Sequence, residues 1–125
     1  MDKQVLVVKR EAEEIAHLMK SIPVELYFAS NPNEAVAVMK ALTEPFDLIL
    51  VGAVFEDSRC LGNAFVQGPD FVRNIRKSGI ATKILMFSVF EEENKIGIAA
   101  GANGSLKPNY DEEMKQKLLE ELVGA

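Results

Sequence analysis

Apolar runs of strand length alternate with stretches of helical periodicity from one end of this chain to the other, and that alternation restricts its fold more than any other feature. A strand covered by helices on both faces reads as a continuous apolar run, as Val5-Leu6-Val7-Val8 does within a strand predicted from Gln4 to Val8. In the following helix Ile15, Leu18, Met19 and Ile22 share one face, while Glu11, Glu13, Glu14 and Lys20 are left for water. Pro23 ends it, and Val24 to Ala29 is the second strand. Asn31-Pro32-Asn33-Glu34 then supplies an N-cap, a proline at the first helical position and a capping-box glutamate. The helix they open buries Ala35, Val38, Met39 and Leu42, and Phe46 to Val51 is a third strand. After an irregular stretch from Gly52 to Gly68, a helix from about Pro69 to Lys77 turns Phe71, Val72 and Ile75 inward and stops at Gly79. Lys83 to Ser88 is the fourth strand, Glu91 to Ala100 a helix closed by Gly101, and Ser105-Leu106 a brief fifth strand. The last helix starts near Asn109 or Asp111 and buries Met114, Leu118 and Leu122, with Leu119 beside them.

Strict alternation of this kind predicts an α/β fold: a doubly wound, five-stranded parallel sheet of order 2-1-3-4-5 in three layers. The length of 125 residues, 48% of them hydrophobic, suits one domain spanning 1-125. Lysine and arginine number 14 against 19 acidic residues, a formal charge of −5, which argues against a general nucleic-acid binder. No apolar run approaches the roughly 20 residues that cross a bilayer, and the first residues lack the pattern of a secretion signal, so the chain reads as cytoplasmic. Cys60 is the only cysteine, which excludes an internal disulfide and a cysteine metal cluster.

In an open parallel sheet the functional crevice lies beyond the carboxyl ends of the strands where their order reverses, here between strands one and three. The residues placed there are Lys9, Arg10 and Glu11 after the first strand, Gly52 and Ala53 after the third, Ser88 after the fourth, and Lys107 with Pro108 after the fifth. Phe46-Asp47-Leu48-Ile49-Leu50-Val51, Lys83-Ile84-Leu85-Met86-Phe87-Ser88 and Gly101-Ala102-Asn103-Gly104-Ser105-Leu106-Lys107-Pro108 stand in the order and spacing of matching segments in the receiver domains of two-component response regulators. The chain resembles that family over nearly its whole length. The resemblance implies a flavodoxin-like (receiver-like) three-layer sandwich. It also implies a site in which two acidic residues after strand one help to bind magnesium, an aspartate ending strand three accepts phosphate, and a hydroxyl and a lysine contact the phosphoryl group.

Carried over residue by residue, Ser88 and Lys107 match. The phosphoacceptor position falls on Gly52, which has no nucleophile, and the acidic pair falls on Lys9 and Arg10, which cannot ligate a hard cation needing oxygen donors. Lys9, Arg10 and Lys107 together carry +3, or +2 with Glu11 counted, where an active receiver without its metal would be acidic. The stretch from Gly52 to the third helix is also longer than receivers carry. The position of the family's switching aromatic in strand five falls on Ser105, and the Lys-Pro pair sits one residue early. The expectation is an atypical receiver, a pseudo-receiver without the phosphoacceptor aspartate. It would be a phosphorylation-independent signalling module and not an enzyme, with no catalytic residue, metal or cofactor. Its partner would be a protein or its own kind, met through helix four, strand five and helix five.

Other readings stay open on the residues alone. Glu56, Asp57 or Ser88 could serve as a non-standard acceptor if a new metal site existed. Alternatively, Glu56 and Asp57 could fold back over the crevice and pair with its bases. Ile15-Ala16-His17-Leu18-Met19-Lys20 faintly resembles the helical histidine of phosphotransfer proteins, but those are helical bundles. A flavodoxin-like nucleotide binder would need a glycine- or hydroxyl-rich phosphate loop where Lys9-Arg10-Glu11 stands.

Overall fold

The computed structural model describes residues 3–9, 13–42, 44–53, 67–109 and 111–123. Five strands, β1 (Lys3–Val8), β2 (Val24–Ala29), β3 (Leu48–Val51), β4 (Lys83–Phe87) and β5 (Gly104–Leu106), form one parallel sheet of order β2-β1-β3-β4-β5. The helices are α1 (Glu13–Leu18), α2 (Pro32–Ala41), α3 (Gln67–Lys77), α4 (Glu91–Ala100) and α5 (Glu112–Val123). The strand order and alternation agree with the sequence reading.

Every residue from Val5 to Val8 and from Leu48 to Val51 is buried, because successive side chains of each strand enter opposite layers. Leu6, Val8, Ile49, Val51, Ile84 and Met86 pack with Ala35, Phe71, Val72 and Ile75 on one face. Val5, Val7, Leu48, Leu50, Leu85 and Phe87 pack with Ile15, Met19, Met114, Leu118 and Leu122 on the other.

The differences lie at element ends and have local causes. The first helix does not reach Ile22 as an α-helix. It tightens into a 3-10 turn at Met19–Ser21, and Ile22 is extended (φ −108°, ψ 134°). The ring of Pro23 disfavours a helical conformation for the residue before it, which accounts for the early end. Strand three begins two residues later than its apolar run. The Gln4 N–H is taken by the Asp47 carboxylate (2.8 Å), while Phe46 is buried edge-on against Tyr27. At α2 the Asn31 side chain accepts from the Glu34 N–H (2.9 Å), as the capping signature predicts. The Glu34 carboxylate reaches one residue further back than a capping box, to the N–H (2.7 Å) and hydroxyl (2.8 Å) of Ser30. Those two hydrogen bonds hold its pKa below the ordinary glutamate value. Asp111, the later of the two expected starts, caps α5 by accepting from the Met114 N–H (2.9 Å).

Candidate functional site

The carboxyl ends of β1 and β3 lie side by side, Val8 opposite Val51, so Lys9 and Gly52 are neighbours at the switch point. The Gly52 N–H donates to Val8 O (2.8 Å) and the Lys9 N–H to Ala29 O (2.9 Å), which continues the strand pairing past the last ladder residues. A Cβ at Gly52 would meet Val8 O at 3.4 Å and the Lys9 Cγ at 3.6 Å, both ordinary contacts. A Cβ at position 52 is therefore tolerated, and the aliphatic stem of Lys9 lies beside it.

Gly68, in the first turn of α3, closes the other side. Its N–H donates to Ala53 O (3.1 Å), and a Cβ on it would run into the carbonyl oxygen of Gly52. Gly52, Ala53, Gly68 and Pro69 are all buried. The backbone of α3 thus packs directly against the carbonyl of Gly52, leaving the side-chain direction of that residue to Val8 and Lys9. The sequence shows Gly68-Pro69 only as a helix boundary; that the glycine is needed for contact is visible only once α3 is in place.

Ser88 ends β4 and is 6% exposed. Its hydroxyl accepts from the Phe90 N–H (2.8 Å), and its carbonyl accepts from the Asn94 side-chain amide (2.9 Å). Lys107, after β5, pairs with Glu91 on the first turn of α4 at 3.0 Å, and both side chains are more than half exposed. A hydrogen bond and Coulomb attraction from Lys107 hold the Glu91 carboxyl below the ordinary glutamate range. The sequence reading counted Lys107 toward a +3 crevice. The structure places that charge on the outer rim against a carboxylate, which lowers the count for the crevice itself. Glu91 and Asn94 were not foreseen, since nothing in the run Glu91-Glu92-Glu93-Asn94 marks which member meets the residue 16 positions later or the end of the preceding strand.

Arg10, Glu11, Glu56, Asp57 and Cys60 lie outside the described residues, so the proposed contact of Glu56 and Asp57 with the bases has no geometry to report. His17 is exposed on α1 beside Glu13, Glu14 and Leu18, in an α/β fold and not in a helical bundle. The described residues do not fit a magnesium site. Lys9 offers an ammonium, Gly52 no side chain, and no group of three or more histidine, cysteine or acidic residues among them could hold a metal. Among the described residues no helix is long and apolar enough to cross a membrane.

Solved structures similar to this chain include response regulators and receiver domains. A response regulator from Thermotoga maritima is 18% identical, with a TM-score of 0.75 over 100% of both chains. The chemotaxis response regulator CheY4 of Vibrio cholerae is 25% identical, with a TM-score of 0.73 over 98% of this chain and 99% of that one. NtrX from Brucella abortus, solved in complex with ADP, is 18% identical with a TM-score of 0.80, over 99% of this chain but 28% of NtrX. Neither a scan of protein-family models nor a search of curated protein sequences finds a match. The fold is that of a receiver domain, five parallel strands in the order 2-1-3-4-5 with five helices.

Proposed function

We propose that the chain is a receiver-like signalling module that works without phosphorylation, recognises a protein partner or a second copy of itself, and catalyses nothing. The observation that carries this reading is the pairing at the switch point. A glycine stands where an acceptor carboxylate would be needed, and a lysine stem lies beside it where an oxygen ligand for magnesium would be needed. Phosphoryl transfer from an acyl phosphate relies on a cation to offset charge as it develops, and a positively charged neighbour with no oxygen donor disfavours that cation. Ser88 and Lys107, the two matches to the receiver pattern, are each engaged elsewhere.

The face formed by α4, β5 and α5 is the surface we assign to the partner, by analogy with receivers. The reading also makes the chain cytoplasmic and gives it no nucleic-acid or membrane contact, in line with its net charge of −5. An acceptor at Glu56, Asp57 or Ser88 is the second reading, and one experiment separates the two. Incubation with acetyl phosphate and magnesium, followed by intact-mass measurement, is expected to leave the mass unchanged. Addition of one phosphoryl group would sink the proposal, and peptide mapping would then identify the acceptor.

A further inference from the structure

The loop between β4 and α4 is held from inside by the side chains of Asn94 and Ser88. Asn94 lies in the second turn of α4 and is 5% exposed. Its backbone N–H donates to Phe90 O (3.0 Å), and its side-chain amide donates to Ser88 O (2.9 Å). Its Oδ1 is buried without a hydrogen-bond partner. An asparagine inside a helix is a poor helix former, and a buried acceptor without a donor is unfavourable. Leucine or alanine at this position would avoid both costs, so the contribution that offsets them is the donor, Nδ2, on the carbonyl that ends β4.

We infer that Asn94 is a positioning residue which, with the Ser88 hydroxyl, fixes the β4–α4 loop and with it α4 in a single position. This rests on the phosphorylation-free reading and adds how the site is regulated: α4 has no second state to be switched to. The rest of the helix is fixed to match. Glu91 on its first turn pairs with Lys107. Gly97, one turn beyond Asn94, brings the helix so close to β4 that a Cβ would collide with the Met86 thioether. The carbonyl of Gly101, just past its last residue, accepts from the Arg76 Nε (2.9 Å) of α3. A helix bonded at its start, packed without a spacer at its middle and bonded at its end leaves Ser88 no freedom to turn toward the crevice. Ser88, in turn, holds the 60%-exposed Val89 and 49%-exposed Phe90 at the surface.

The test is backbone NMR on the whole chain, combining relaxation dispersion with amide hydrogen exchange. The unmodified chain is expected to show no millisecond exchange at residues 88–97. Asn94→Asp keeps the shape but removes the donor. It should speed amide exchange at Phe90 and Asn94 about fivefold to tenfold, the size expected for one lost hydrogen bond, and Asn94→Ala should do the same. Ser88→Thr, which keeps the hydroxyl, should match the unmodified chain, whereas Ser88→Ala should release the Phe90 amide by a similar factor. Millisecond exchange at 88–97 in the unmodified chain overturns the inference, and so does full protection in Asn94→Asp. If neither Asn94 variant folds, equal protection of Ser88→Ala and Ser88→Thr overturns it. A chain that takes no phosphoryl group yet shows loop exchange contradicts this inference alone. A chain that is phosphorylated contradicts the reading beneath it.

Discussion

At the amino ends of β4 and β5 a single guanidinium, that of Arg76, donates four hydrogen bonds, whereas at the carboxyl ends of β1 and β3 the facing positions hold a lysine stem and a glycine. Arg76 reaches the carbonyls of Gly101, Ile80 and Thr82 and the Asn103 side-chain oxygen, all at 2.8 to 2.9 Å. The same Asn103 oxygen accepts from the Ile84 N–H (2.9 Å), so one polar knot closes the α3–β4 and α4–β5 connections together. Gly101 takes part because of its backbone. Its φ of 130° favours glycine, and a Cβ there would fall 2.6 Å from the Arg76 Cγ. Nearby, Lys83 at the start of β4 pairs with Glu121 of α5 at 2.6 Å. Between the carboxyl ends of β1 and β3 the described residues offer a glycine and backbone contacts, whereas the amino ends of β4 and β5 have interlocked polar side chains. Polar groups at the amino ends of β4 and β5 join loops to helices.

Substitutions at the two ends should therefore fail in different ways. The largest effect is expected from Arg76→Ala, which removes hydrogen bonds from a charged donor and leaves several carbonyls with fewer partners. A loss on the order of 3 kcal/mol in urea unfolding is expected. A loss under about 1 kcal/mol would mean that water replaces the knot without penalty. Gly68→Ala comes next, because its Cβ would meet a backbone oxygen that cannot swing away. About 2 kcal/mol is expected for forcing α3 off Gly52, measured the same way.

Gly52→Asp should behave quite differently, since a Cβ at position 52 makes only ordinary contacts and the Lys9 stem is beside it. Stability should fall by about 1 kcal/mol, less than for Gly68→Ala, because no backbone has to move. Acetyl phosphate with magnesium should still leave the mass unchanged. Only a variant with acidic residues at positions 9 and 10 as well should become phosphorylated, and recovery by the single change would contradict the role given to Lys9. The smallest effect belongs to the Lys107–Glu91 pair. Because the Glu91 carboxyl titrates below its ordinary value of 4.5, the contact is fully present above that pH and is lost as pH falls through the lowered value. Carboxyl chemical shifts followed by NMR should show Glu91 titrating below the ordinary glutamate value. Glu91→Gln should abolish the Lys107 contact without measurable unfolding.

The alternation of elements, the strand order and nearly every core residue could be read from the sequence, because period-2 and period-3.6 patterns are local and each strand's apolar run implies cover on both faces. Gly52 and Lys9 were also legible, because strand order alone makes them neighbours. Arg76, Gly68, Glu91 and Asn94 were not. Arg76 sits in a basic helix end that reads as a solvated face, and its acceptors include three carbonyls, which no side-chain pattern records. Gly68 reads as a turn residue, and its close approach to Gly52 depends on where a long connection returns. Glu91 and Lys107 meet because β4 and β5 are adjacent, yet three successive glutamates gave no basis for choosing one.

The central claim is that the crevice between β1 and β3 has no use for magnesium. Its most direct test is a magnesium titration of the isotopically labelled chain to millimolar concentration, following the amides of Lys9, Gly52, Ala53, Gly68 and Ser88. An ammonium stem beside a glycine predicts only small, non-saturating shifts, the same in size as those of exposed amides on α2 and α5. A saturable shift confined to these five residues would show that a cation binds there and would contradict the account.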